Sequence, residues 1–420
     1  MNKDKNLAKT VLILGAISVL AFGGSLMAQG GADAGDSQPG LEVDVIRLGG
    51  VMDLEGRSRG VGRAMRAGIE AALRDQSIDG RRVEFVPIND SFTPQRTIQA
   101  TDQLVNLGVF AMLGNVGTAT AAVSLPVLAQ NSIPAVGFLT GSELLRPGHG
   151  LIINFRASDA QETATVVQAA LDAGMAPSDI CAYVVNDEFG MSGLRGMRDT
   201  LAARGDTISL VSTLDQILAM QGENPARNGI GPVGVYRRNT FASRDGYLSL
   251  KNWENRNATA CRLVVSVGTY NPIAKFIAYS RYKGEVWAVS AVSFTSARNF
   301  REALTEADVI GDVIMTQVVP ALDSNIAIVR DARQALGGSL DYVSLEGYIV
   351  GRLFLRLASD AGSLTRDSLV GTALGRVFDL GGLRLDFTDD NQGSDLVLMT
   401  VLTPAGWSVM READWQQWVQ

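Results

Sequence analysis

From residue 43 onward the chain alternates between short apolar runs rich in β-branched residues and longer stretches whose apolar positions recur at helical spacing. Strands are expected at 44–51, 82–88, 109–113 and 135–139, with helices between them at 62–74, 93–107 and 119–130. In the first helix Ala64, Ile69, Ala72 and Leu73 fall on one face. The rhythm then restarts, with strands at 180–186, 207–213, 263–267 and 285–290 and helices at 193–204 and 272–281. Regular alternation of strand and helix implies parallel strands joined by right-handed crossovers. Two successive units of this kind predict an α/β protein with two doubly wound parallel-sheet lobes, each with a crevice at the carboxyl ends of its strands. Further on, the pattern predicts a strand at 313–319, helices at 326–336 and 344–358, and two strands, 382–387 and 396–402, joined by a polar turn.

One stretch breaks the pattern. Residues 215–250 are rich in Gly, Asn and Arg and longer than a compact domain leaves without structure, so they read as a surface insertion that contacts a partner. Gly229, Gly231 and Gly234 have the spacing of a dinucleotide-binding turn, but Pro232 sits inside it and no helix is expected after it, which argues against that reading.

The beginning of the chain has its own pattern. Lys3, Lys5 and Lys9 precede an apolar run at 11–22, and small residues follow to Ala28. This is the arrangement of a secretory signal peptide over 1–28, with an uncleaved anchor as the alternative. The run is shorter than the roughly 20 residues that span a bilayer, and no Cys follows it to carry a lipid. Residues 29–43 read as a flexible leader.

Composition narrows the function classes. A chain of 420 residues with 46% apolar content is too long for one core and rich enough for two. The net charge of −7 argues against nucleic acid or an anionic membrane as partner. His149 is the only histidine, which removes most metal and His-dependent chemistry. No G-x-S-x-G, phosphate-binding loop or H-E-x-x-H occurs; neither an enzyme nor a cofactor or metal site is expected. The two cysteines, Cys181 and Cys261, either form one bridge in an oxidising compartment or are two small buried residues.

Several stretches, in this order, carry a resemblance to a family. They are the glycine spacing at 62–68, Asn89-Asp90 with Pro94 downstream, the run from Gly114 to Arg146, and "NFRAS" at 154–158. They continue with "NDEFGMSGLRG" at 186–196, "VGTYNPIAKFI" at 267–277 and "VSLEGYIVGR" at 343–352. Together they resemble the branched-chain amino acid (Leu/Ile/Val) class of substrate-binding proteins of ABC importers, with the type I periplasmic binding fold. The runs "YRRNT" at 236–240 and "QVVP" at 317–320 look like a subgroup of that family. The resemblance implies lobes joined by hinge strands: 44–156 with 318–382 in one, 157–317 with 383–418 in the other. It also implies a monomer in the periplasm that binds a small molecule and docks on a membrane permease. The alternative within the same fold is a sensing protein that presents its closed form to a sensor kinase or chemoreceptor.

The same resemblance assigns candidate ligand contacts. The turn after the third strand, with Gly117, Thr118 and Thr120, matches the family's carboxylate-binding turn, and Thr118 carries its hydroxyl. Phe138 and Thr140 match the end of the next strand. Phe189 matches an aromatic that lies over the ligand, and Tyr270 matches one near the ligand's amino end. Where the family's amino acid binders carry an acid to pair with the ammonium, this chain has Ala291. A buried ammonium without a partner is costly. Glu346, and more weakly Glu55, are the substitute carboxylates.

Overall fold

The computed structural model describes residues 38–148, 150–309 and 311–419. The expected signal peptide, most of the leader and His149 lie outside the described residues. In the first lobe the chain runs β1 (Val45–Met52), α1 (Arg59–Leu73), β2 (Ser77–Ile78), β3 (Arg81–Asn89), α2 (Pro94–Leu107), β4 (Ala111–Leu113), α3 (Thr118–Gln130), β5 (Ala135–Val136) and β6 (Ile152–Ile153). These strands form one sheet in the order β2-β3-β1-β4-β5-β6, parallel except for the short β2.

The chain then enters the second lobe through α4 (Asp159–Asp172), β7 (Ile180–Val185), α5 (Glu188–Ala202), α6 (Ile208–Leu218), β8 (Val233–Tyr236), α7 (Arg244–Asn257), β9 (Leu263–Val267), α8 (Tyr270–Tyr282), β10 (Ala288–Ala291), α9 (Ala297–Glu306) and β11 (Val313–Gln317). It goes back to the first lobe for α10 (Ala327–Leu336), α11 (Tyr342–Asp360), α12 (Arg366–Ala373) and a two-stranded ribbon of β12 (Val377–Asp379) and β13 (Arg384–Asp386). Finally β14 (Leu398–Thr403) and β15 (Gly406–Val409) complete the second sheet, ordered β15-β14-β11-β10-β9-β7-β8. Its five central and edge strands β8, β7, β9, β10 and β11 are parallel, while β14 and β15 are antiparallel.

The local causes are visible in the sequence. Pro94 opens α2 and Gly108, in the left-handed region at φ 71°, closes it. Ser158 with Gln161, Asp341 with Ser344 and Thr365 with Ser368 form capping boxes at the starts of α4, α11 and α12. The helices α1 and α11 touch backbone to backbone. A Cβ on Gly68 would stand 2.0 Å from the Ser344 carbonyl oxygen, and one on Gly347 would stand 2.3 Å from that of Met65. The crossings between lobes are tied together: the Asn154 amide donates to the Asn391 carbonyl (2.8 Å) and the Gly393 amide donates to the Asn154 carbonyl (2.9 Å).

Three expectations are corrected. Residues 207–213 are not a strand; they open α6, where the apolar residues Leu210, Val211, Leu214 and Ile217 turn to one side and helical spacing outweighs β-branched composition. The stretch 215–250 is not an insertion, because β8 is a fully buried edge strand paired in parallel with β7, and α7 follows it. Its glycine misleads: a Cβ on Gly234 would meet the Gly246 carbonyl at 2.3 Å, so the residue serves helix–strand contact rather than a loop. At the end of the chain, β13 pairs with β12 and β14 with β11 and β15, not with each other.

Candidate functional site between the lobes

In both sheets the chain builds first to one side of its leading strand and then to the other. The reversal falls between β1 and β4 in the first lobe and between β7 and β9 in the second. Loops at the carboxyl ends of strands beside such a reversal form a crevice, and the two crevices face each other. The cavity between them is lined by Phe92, Thr118 and Ala119 from the first lobe and by Val185, Asp187, Phe189, Tyr236, Arg238, Asn239 and Thr269 from the second. The lobes stand close, leaving about 10 Å³ open, the space of about one water.

On the first lobe, Thr118 begins α3 and its hydroxyl lies 2.6 Å from that of Thr140, both side chains being buried. The first N–H groups of a helix have no intrahelical partner, so this end offers donors beside the hydroxyl pair. Gly117 holds φ at 99°, and a Cβ there would strike the Phe92 ring at 2.3 Å. Glycine is what lets that ring lie on the turn. The Thr120 hydroxyl donates to the Val116 and Gly117 carbonyls and is used up in closing the turn. Phe138 points into the first lobe's core among Val51, Leu104, Met112 and Leu128, not into the cavity. Glu55 is exposed and accepts from the Asn89 amide nitrogen (3.1 Å), away from the cavity lining.

On the second lobe, Asp187 caps α5 by accepting from the amides of Phe189 (3.0 Å) and Gly190 (3.4 Å). Burial pushes its pKa up to about 6, against the opposing pull of Arg238. Phe189 packs edge-on against Phe294 with centroids 4.9 Å apart, and Phe294 reaches Phe92 across the cleft at 6.0 Å. The Arg238 guanidinium stands over the Phe92 ring at 5.9 Å, with Nε 3.8 Å from Asp187. Tyr270 starts α8 and its hydroxyl donates to the Arg57 carbonyl of the first lobe (2.9 Å); Arg57 in turn donates to the Asn239 carbonyl (2.7 Å). These bonds bridge the lobes.

A second polar cluster lies at the hinge. Arg156, on the first crossing, is wholly buried; its Nη2 donates to Glu162 Oε1 (2.8 Å) and to the Ser293 hydroxyl, while its Nη1 lies 3.5 Å from Glu346. Glu162 also accepts from the Ser293 amide (2.7 Å) and the Thr316 hydroxyl. Burial pushes both Glu346 and Asp159 up to about 7 although Arg156 opposes it in each case. Around Arg156 burial acts against its charge, but Glu346, Glu162 and Asp159 outweigh this and raise its pKa. Ala291 ends β10 fully buried. Among the described residues no group of His, Cys, Asp and Glu is placed to hold a metal, and no helix is long and apolar enough to cross a membrane.

A family model described as "Periplasmic binding protein" matches residues 45–213. A possible leucine/isoleucine/valine-binding protein from Rhodopirellula baltica SH 1 superposes with a TM-score of 0.76 at 28% identity, covering 92% of this chain and 100% of its own. A substrate-binding periplasmic protein from Ralstonia solanacearum superposes with a TM-score of 0.70 at 21% identity (87% and 99% covered). A branched-chain amino acid ABC transporter protein from Thermus thermophilus with bound valine does so at 0.67 and 14% (88% and 95% covered). A search of curated proteins by sequence gave no significant match. The fold is that of a type I periplasmic binding protein.

Within this fold, the family and its neighbours are binding proteins rather than enzymes, in keeping with the missing catalytic motifs. The sequence-based candidates fall into three groups. Thr118 and Phe189 line the cavity, with Thr140 against Thr118 and Gly117 shaping the turn. Tyr270 joins the lobes at the cleft's side, and Glu346 sits in the hinge cluster. Thr120, Phe138 and Glu55 are directed elsewhere. Sequence reasoning missed Phe92, Arg238 and the Arg156–Glu162–Ser293 cluster as interlobe residues. "YRRNT" and "NFRAS" held two of them, and the signal for Arg238 was a pair of arginines directly after an apolar strand.

Proposed function

We propose that this chain is the periplasmic substrate-binding component of an ABC importer, a monomer that closes its lobes on a small polar organic molecule and delivers it to a membrane permease. Residues 44–156 with 318–382 move against residues 157–317 with 383–418 about the hinge crossings. The observation that carries the reading is the cavity at the facing switch points, lined from both lobes by Thr118, Phe189 and Arg238. A ligand held there favours the closed form, and a closed surface is what a permease can recognise. The similarity to amino acid-binding neighbours supports the ligand class of amino acids and related amides or carboxylates.

Thermal melts of residues 29–420 against amino acids, amides and carboxylates test this. A ligand at a hundred times its dissociation constant stabilises by roughly 2.7 kcal/mol, and a melting shift of about 2–4 °C is expected for a chain of this size. A panel that leaves the melting temperature unmoved counts against the binding role.

A further inference from the structure

One exposed residue of the first lobe, Arg57, is held by the second lobe at both its backbone and its side chain. It lies in the turn ahead of α1. Its Nη1 donates to the Asn239 carbonyl (2.7 Å), and its guanidinium stands over the Phe241 ring, 5.2 Å from the centroid. Its own carbonyl accepts from the Tyr270 hydroxyl (2.9 Å) at the start of α8. The loop that receives the side chain is set up for it. Thr240 closes the 237–240 turn, its amide (3.2 Å) and its hydroxyl (2.6 Å) both donating to the Arg237 carbonyl. Asn239 sits inside that turn at φ 59°, a left-handed conformation that Asn adopts more readily than most residues. The turn's own bonds use the carbonyl of Arg237, and that of Asn239 goes to Arg57. Beside this contact, in the first turn of α1, a Cβ on Gly60 would stand 2.0 Å from Asn299 Oδ1 of α9. Glycine is what lets the two lobes approach there.

The contact reaches the cavity through the chain. Arg238 and Asn239 line the cavity, and Arg57 does not. Arg298 also joins the lobes, donating to the Gly338 and Leu340 carbonyls, but none of these three residues lines the cavity. We infer that Arg57 is a clasp: a positioning residue that keeps the lobes together, steadies the 237–241 loop and so sets how readily the cleft opens. The inference rests on the lobe motion of the proposed function and names the residue that resists it. One hydrogen bond and one ring contact are each modest, so the clasp yields without unfolding either lobe.

The test uses the purified protein with no compound added, by small-angle X-ray scattering and amide hydrogen exchange. Wild type is compared with Arg57→Ala, Arg57→Lys and Gly60→Leu. Arg57→Ala is expected to have a larger radius of gyration than wild type, and its Thr240 amide to exchange about fivefold faster, the effect of one lost hydrogen bond. Arg57→Lys keeps a cation over the Phe241 ring and a donor for the Asn239 carbonyl, and falls between the two. Gly60→Leu, which leaves Arg57 in place but wedges α1 from α9, also scatters as a larger particle. Arg57 is exposed, so its replacement leaves both cores intact. Arg57→Ala with the radius of wild type, or with unchanged exchange at Thr240, would overturn the clasp and leave the binding role to the melting panel. A silent panel beside an enlarged Arg57→Ala would overturn the binding role and leave the clasp standing.

Discussion

Buried charge is where single residues decide most in this protein. A carboxyl whose pKa is higher in the folded chain than in the unfolded one keeps its proton longer when folded, so stability falls as pH rises between the two values. For Glu346 that window runs from the ordinary 4.5 to about 7, and for Asp159 from 3.8 to about 7, burial being the main cause in both. Asp187 and Asp90, pushed up to about 6 by burial, act in the same direction at lower pH. Denaturant unfolding is therefore expected to show lower stability at pH 7.5 than at pH 5, and Glu346→Gln should flatten the upper part of that slope. A wild-type profile that is level or rises over this range would contradict the assignment. Residues were the least legible level in the sequence. The Thr118 hydroxyl and the Phe189 ring were reached through the family resemblance, and both sit at helix starts that line the cavity. Arg238 and Arg156 depend on partners far away in sequence: Arg238 on Phe92, and Arg156 on Ser293 and Glu346. Nothing in their own neighbourhood announces those partners.

At the level of elements, the open question of the cysteines is settled by strand order. Because β7 and β9 are neighbours, Cys181 and Cys261, two residues ahead of β9, come to a Cα–Cα distance of 5.7 Å and form a disulfide. The bridge closes a loop with a sequence separation of 80 residues that contains α5, α6, β8 and α7. In the chain-entropy picture such a loop stabilises by about 4–5 kcal/mol. Reduction under native conditions should lower the melting temperature by several degrees, and thiol titration of the denatured, unreduced protein should find no free thiol. Two free thiols would rule the bridge out. Most of the alternation was legible because a strand and a helix differ in apolar period. It failed inside this same loop. There α6 carries Ile208, Val211 and Thr213 at a half-exposed surface, and β8 is a strand of four residues around a glycine. Both take their identity from the neighbours they pack on. The hairpin expected at the carboxyl end failed for a related reason: two apolar runs can be read as strands, but the partner of each lies in a different sheet.

The whole molecule joins these levels. Two sheets with facing switch points, tied by crossings near Arg156, Gln317 and Asn391, place Thr118 and Phe92 on one cavity with Phe189 and Arg238. The two-lobe architecture could be read from the repeated rhythm; the return of α10–α12 to the first lobe could not, since only the family resemblance pointed to it. The central claim is that one small molecule binds between the lobes and is held by both. Calorimetric titration tests this most directly, using the compound with the largest melting shift against wild type, Thr118→Val in the first lobe and Phe189→Leu in the second. One site per chain is predicted, with each variant weakening binding about tenfold, or ~1.4 kcal/mol. Binding that survives both substitutions unchanged would place the ligand elsewhere and contradict the account.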